Sequence, residues 1–130
     1  MTCEVNQGQL FVPIVTADKI IIMKIIPHDE LIKKLDICIA ACNFCAASCL
    51  KEEHVHMMTA CISNDMDCAD VCRTAAVLLA RDSKHGKHLL RECIEICEAC
   101  ATECEKHDHD HCKACATACR ECAEACRAAA

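Results

Sequence analysis

The stretch from Cys93 to Cys126 reads CIEICEACATECEKHDHDHCKACATACRECAEAC, and cysteine recurs in it at steps of three or four residues on both sides of a polar break. Such steps return a side chain to one face of an α-helix, whereas a strand repeats every second residue. The segment therefore predicts two helices, each carrying a stripe of sulfur, joined by a turn at His107 to Asp110. The underlying unit is C-x3-C-x2-C-x3-C. It occurs at Cys93, Cys97, Cys100 and Cys104, and again at Cys115, Cys119, Cys122 and Cys126, with Cys112 adding a step in front.

The same unit lies upstream. CIAACNFCAASC supplies Cys38, Cys42, Cys45 and Cys49, and an incomplete copy, CISNDMDCADVC, keeps Cys61, Cys68 and Cys72 in register with Asp65 where the second cysteine would stand. Whether Asp65 accepts a hydrogen bond from a thiol, tunes a neighbouring site or faces a water pocket is left open by the sequence. Good helix formers fill the intervals, and the chain has only two glycines and two prolines. Pro27 precedes the first repeat, Asp82-Ser83-Lys84-His85-Gly86 separates the second from the third, and Lys51 to His56 forms a further turn. These signals predict helices at about 28–51, 55–82, 86–106 and 109–128, with Asp108 or Asp110 placed to cap the last. Short links make consecutive helices antiparallel, so the expectation is an all-α, up-down-up-down four-helix bundle over residues 27–130. Residues 1–26 hold only the isolated Cys3 and are read as a separate N-terminal extension.

Alternating steps of three and four also describe the seam by which bundle helices meet, so the four stripes are expected to face a common axis. Charged residues lie off the stripe, as with Glu92, Glu95, Glu98 and Glu103 in the third helix and Lys113, Arg120, Glu121, Glu124 and Arg127 in the fourth. The first helix is different. From Ile37 to Leu50 it has no charged residue on any face, so Ile37, Ile39 and Phe44 are expected to contact a second copy of the chain in a homo-oligomer.

Composition narrows the function. Seventeen cysteines in 130 residues far exceed ordinary usage, while Trp and Tyr are absent and Phe11 and Phe44 are the only aromatic residues of that class. Much of the 54% apolar fraction is therefore Cys and Ala rather than bulky core filler. A formal net charge of −6 argues against nucleic acid and acidic membrane surfaces as partners. The apolar runs near Leu10 to Val15 and Ile20 to Ile26 are split by Asp18 and Lys19, and neither spans a bilayer nor resembles an export signal. A cytoplasmic location is expected, where thiols stay reduced and abundant cysteine points to metal.

Packing alone does not account for regularly spaced inward cysteines, although cysteine is a common buried residue. Positions four apart on a helix have Cβ atoms about 5–6 Å apart, too far for a disulfide, which needs about 3.5–4.5 Å. Iron–sulfur sites and zinc ribbons share the short spacings but place them on wrapping loops or tight turns, which these helical repeats lack. Four thiolates around a divalent zinc leave two negative charges, a burden that grows with each site in a dry core. A monovalent Cu(I) that replaces one thiol proton per cysteine leaves the interior near neutral, and thiolate is a preferred donor for it. Pairs four apart, such as Cys38-Cys42, Cys68-Cys72, Cys93-Cys97, Cys100-Cys104, Cys115-Cys119 and Cys122-Cys126, are placed to clasp such ions. The competing readings are a zinc or mixed-metal buffer, taking about one ion per four cysteines, and a thiol redox protein. The redox reading conflicts with stripes that avoid Lys and Arg. No nucleophile, base and acid grouping suggests an enzyme.

Four cysteine-striped helices with repeated C-x3-C pairs resemble the bacterial copper storage proteins, in particular their cytosolic branch. The resemblance covers roughly residues 28–128. It implies a tetramer of four-helix bundles, each holding many Cu(I) ions, with Cys38, Cys42, Cys45, Cys49, Cys61, Cys68, Cys72, Cys93, Cys97, Cys100, Cys104, Cys112, Cys115, Cys119, Cys122 and Cys126 at the positions of the ligand stripes. The N-terminal extension and Cys3 have no counterpart in it.

Antiparallel helices also give the bundle a polarity. The turns after the first and third helices fall at one end and gather His54, His56, Met57, Met58, His107, His109 and His111. The other end receives Leu31, Leu35, Leu79, Leu89 and Leu90. Imidazole and thioether bind Cu(I) more weakly than thiolate, so copper is expected to pass in and out at the His/Met end, with His54, Met57, Met58, His107, His109 and His111 as candidate donors.

Overall fold

Each sulfur stripe lies on its own helix in the computed structural model, which describes residues 17–18 and 25–130. Helix α1 spans Asp29–Cys49, α2 Thr59–Ala80, α3 Gly86–Cys104 and α4 Asp110–Ala129, with a 3₁₀ turn at Val55–Met57 and no strand among the described residues. Cys3 and most of the N-terminal extension lie outside the described residues. Each helix packs against the next in sequence and α4 packs back against α1, which closes an antiparallel ring. This is the four-helix bundle that the repeats predict.

Small residues let the ring close tightly. Ala46, Ala69, Ala75, Ala76, Ala101, Ala116 and Ala123 are buried beside the cysteines, so the helices approach and opposing sulfurs meet across the axis. The largest fully buried side chains of the described residues include Leu35, Leu79 and Leu90, joined near the same end by the buried Leu31. Leu89, expected with them, is only half-buried. Between helices, Lys34 pairs with Glu121 at 3.4 Å and Arg127 pairs with Glu98. Both are exposed pairs, each worth at most about 1 kcal/mol.

The turns differ from expectation in three places. The second helix starts at Thr59 rather than 55, because Met57 N–H donates to His54 O and Met58 N–H to Val55 O, both at 2.9 Å. These tighter i to i−3 bonds reverse the chain and tuck Met58 into the core at 3% exposure, leaving Met57 at 64%. The last helix is capped by neither Asp108 nor Asp110. His109 occupies the N-cap position in extended conformation with no side-chain cap bond, and Asp110 sits in the first turn, where its negative charge interacts favourably with the positive end of the helix dipole. The third concerns the end of α2. Asp82 takes a left-handed φ of 51°, and Asp82 N–H donates to Leu79 O at 3.0 Å while Ser83 N–H donates to Leu78 O at 2.9 Å. That is a Schellman stop with aspartate in the place glycine usually fills. The Asp82 carboxylate lies 3.5 Å from His28 Nε2, at the start of α1.

Candidate metal centre

All sixteen cysteines from Cys38 to Cys126 are free and buried. Their sulfurs form one continuous column. Across α1 and α4, Cys42 and Cys119 stand 3.6 Å apart, and across α2 and α3, Cys68 and Cys72 each lie 3.6 Å from Cys97. Cys38 reaches Cys97 across the diagonal at 3.9 Å. Along single helices the spacing is similar, with Cys45–Cys49 at 3.9 Å and Cys68–Cys72 and Cys115–Cys119 at 4.0 Å. The closest approach, Cys61–Cys104 at 3.5 Å, is far beyond the roughly 2.05 Å of a disulfide bond. A metal–sulfur bond near 2.3 Å lets one ion bridge sulfurs up to about 4.6 Å apart, so these pairs are within reach of a shared ion.

Groups of donors that converge within 4.8 Å of one another include Cys38, Cys72, Cys97 and Cys122, one from each helix. Others are Cys38, Cys42, Cys68 and Cys119, then Cys42, Cys100, Cys115 and Cys119, then Cys45, Cys49, Cys61 and Cys112. The first three groups overlap through Cys38, Cys42 and Cys119, and the fourth is joined to them through Asp65, which Cys61, Cys100 and Cys115 all reach, so the column is a ladder of connected sites rather than a set of separate ones. Cys93 and Cys126 continue the column toward the leucines, both fully buried.

Asp65 stands in this column as the sole buried charged or polar side chain among the described residues. The thiols of Cys100, Cys115 and Cys104 donate to its Oδ1 at 3.1, 3.3 and 3.5 Å, and that of Cys61 to its Oδ2 at 3.8 Å. Of the three roles the sequence left open, the structure shows the first: Asp65 accepts hydrogen bonds from thiols. Burial pushes its carboxyl up to about 10, so it carries a proton at neutral pH. Together with Cys45, Cys61 and Cys104 it forms a further converging group.

The two ends of the column differ as their sequences suggest. Leu31, Leu35, Leu79 and Leu90 fill one end. At the other, a cavity of about 270 Å³ is lined by Glu52, Glu53, His54, Met57, Met58, His107 and His109. His107 Nε2 is buried there without a hydrogen-bond partner. His111 points inward. Its Nδ1 lies 3.5 Å from the sulfurs of Cys45 and Cys112 and 3.8 Å from that of Cys49, while its Nε2 meets Glu52 Oε1 at 2.8 Å. The His109 ring stacks on it at 5.2 Å, with Nδ1 3.5 Å from the same carboxylate oxygen. His111 holds the Glu52 carboxyl below its usual range. In the same region, burial raises the Cys112 thiol to about 11 and likewise raises Cys49. These sulfurs are protonated in the metal-free protein at neutral pH.

Of the residues singled out from sequence, all sixteen cysteines converge on the axis, and Met58, His107, His109 and His111 gather at its mouth. His54 and Met57 line the outer cavity and remain exposed. Sequence reasoning missed Glu52. Its only signal was its position three residues beyond the last sulfur of α1, in a turn that an antiparallel bundle carries toward the histidines.

Residues 26–130 match the sequence model described as copper storage protein. An uncharacterized cysteine-rich protein of Bacillus subtilis, YhjQ, is 50% identical over 93 residues, which are 72% of this chain and 86% of that one. The solved apo form of copper storage protein 3 from Bacillus subtilis superposes with a TM-score of 0.73 at 48% identity, over 77% of this chain and 95% of that one. A cytosolic copper storage protein from Streptomyces lividans, described with five coppers, gives 0.73 at 41% identity, over 75% and 87%.

Proposed function

Because this chain belongs to the copper storage protein family, we propose that it stores Cu(I), holding many ions on the thiolates that line its axis. One observation carries this reading: sixteen free cysteines, each with no solvent exposure, share a single unbroken column of sulfur. Each arriving ion displaces a thiol proton, so the filling core stays near neutral and the protons leave to solvent. The zinc or mixed-metal buffer and the redox protein receive no support beside this. Storage within the cytoplasm follows the Streptomyces lividans relative, which is described as cytosolic, and no described helix is long and apolar enough to cross a membrane. The family supports a non-enzymatic role, and we read the chain as having no catalytic activity of its own.

The ligands are the sixteen axial cysteines, and the storage unit is residues 27–130, with residues 1–26 a separate extension. Anaerobic Cu(I) titration against a competing chelator, followed by native mass spectrometry, tests this directly. Charge balance sets the expected capacity at many ions per chain, up to about one per core thiol. Saturation at one or two ions would overturn the reading.

Copper passes through the His/Met end. The support is polarity: leucines close one end, whereas His111 faces the sulfurs from the other with 12% of its side chain exposed. Replacing Met57, Met58, His109 and His111 together is expected to slow both loading and chelator-driven removal without lowering capacity. Unchanged kinetics would defeat the idea.

The chain forms a homo-oligomer, for which a tetramer is the family's expectation. Ile37 and Phe44, seven residues apart on one face of α1, are 56% and 67% exposed, with the exposed Ala40 and Ala47 between and beyond them. The same mass spectrum reads the assembly, and Phe44→Glu is expected to shift it toward monomer.

A further inference from the structure

We propose that the leucine-closed end of the bundle is a docking surface for an anionic lipid membrane, made from the cations Arg81, Lys84, Lys87 and Arg91 around the α2–α3 turn and the exposed Ile25 and Ile26 beside them. This gives the store a place and does not rest on what it holds.

A net charge of −6 argues against such a surface only where the charge is evenly spread. Here it is not. Residues 81 to 91 read RDSKHGKHLLR, with four Lys and Arg against one acid. All four cations are exposed, and none enters the ion pairs of the described residues, which engage Lys33, Lys34, Arg73, Lys106, Arg120 and Arg127. The one acid, Asp82, faces His28 at 3.5 Å, while at the start of α1 Lys33 lies 3.6 Å from Asp29 and 3.0 Å from Glu30. Glu53, Asp108 and Asp110 belong to the other end. Helices of about 20 residues are about 30 Å long, which is several Debye lengths at physiological salt. The acids of the mouth are therefore screened from whatever the closed end meets.

Within the chain this placement of cations is unfavourable. Lys87 and His88 stand in the first turn of α3, which has no acidic residue to meet the positive end of the helix dipole. Lys87 and Arg91 are also like charges four apart on one helix. Neither the fold nor the sulfur column uses them, whereas an external anion relieves both conflicts. A cleft of about 420 Å³, lined by Lys87, His88, Arg91, Glu92, Ile94 and Ala130, opens among them with room for a headgroup.

Apolar exposure selects lipid over other polyanions. Ile25 and Ile26 are 71% and 39% exposed, and they come just before the His28 that meets Asp82, so they border the cationic turn. The sequence upstream, KIIIMK at 19–24, lies outside the described residues and continues the same mixture. Apolar side chains beside Lys and Arg suit the boundary between headgroups and acyl chains. A nucleic acid would satisfy the cations and leave the isoleucines in water. Docked by this end, the bundle stands with its His/Met mouth facing away from the membrane.

The test uses the full chain, metal-free, reduced and anaerobic, with vesicles of phosphatidylcholine alone or with about one third phosphatidylglycerol. Cosedimentation is expected with the anionic vesicles only, and is expected to fall as salt rises to about 0.5 M. Lys84→Gln, Lys87→Gln and Arg91→Gln together should weaken it about 100-fold, at roughly fivefold per cation. Ile25→Ser with Ile26→Ser should weaken it about 10-fold. Lys51→Gln with Lys113→Gln, at the mouth end, is expected to change nothing. No binding, equal binding to neutral vesicles, full binding by the triple Gln variant, or an equal loss from the mouth-end pair would each overturn the proposal. So would tighter binding to a DNA duplex that the isoleucine changes leave intact, which would assign the patch to nucleic acid. All these side chains lie off the sulfur column, so Cu(I) capacity is expected to be unchanged in every variant and the storage reading is tested separately.

Discussion

Without metal, the Asp65→Asn protein is expected to be more stable than the parent at pH 8 and about equal to it near pH 4. Asp65 is fully buried among thiols, and its carboxyl is raised from 3.8 to about 10, chiefly by burial. A raised acid keeps its proton in the folded state and releases it on unfolding. Above about pH 4 the unfolded chain therefore gains an advantage of about 1.4 kcal/mol per pH unit, which continues until the folded group itself ionises near 10. Between pH 4 and pH 8 the parent loses on the order of 5 kcal/mol from this group alone, as an upper bound. Asparagine has nearly the same shape and still presents an oxygen to Cys100, Cys104 and Cys115, but it has no proton to lose. Anaerobic denaturant unfolding of both proteins at pH 4, 6 and 8 measures the difference, in which the titrations of other groups cancel. Parallel pH profiles would show that Asp65 is solvated or ionised in the fold.

The second large effect belongs to the opposite end. Leu35→Ala and Leu79→Ala are each expected to destabilise the metal-free bundle by about 2–5 kcal/mol. Both side chains are almost wholly buried, and a core otherwise made of cysteine and alanine has few bulky groups able to relax into the space. The same truncations open a second route to the column, so a chelator should strip copper faster from them than from the parent. That increase should persist when His109 and His111 are also replaced. Leu35→Met, which nearly conserves volume, is expected to cost under about 1.5 kcal/mol and leave removal kinetics unchanged. If Leu35→Ala strips no faster than Leu35→Met, the leucines are core filler and not a closure.

The bundle was legible in the sequence because its determinant is periodic. Steps of three and four specify both the helix and its inward face, and the same residues carry the sulfurs of the axis, so the fold and the candidate site were read from one signal. The leucine end and the histidine end followed from antiparallel connectivity alone. What was not legible depends on single backbone conformations and on partners distant in sequence. The 3₁₀ turn that separates Met57 from Met58, the left-handed Asp82 that stops α2, and His109 at the start of α4 each arise where the chain must reverse within a few residues. Periodicity carries no information there. Glu52 escaped for a different reason: its 2.8 Å contact with His111 joins residues 59 apart, and a glutamate in a polar turn looks like any solvated charge. Asp65 was visible as a break in the repeat, but only the surrounding thiols show that it sits neutral in the core.

The continuous sulfur column also sets unequal rules for how this sequence can vary in length. A helix advances by about 100° per residue, so one codon gained or lost inside α1 to α4 would swing every later thiol of that helix out of phase with the other three. The turns at 50–58, 81–85 and 105–109 transmit no such rotation, since each helix is docked by its own stripe. Natural and engineered insertions should therefore collect in those turns, and a fusion partner or label placed there should leave the store in frame.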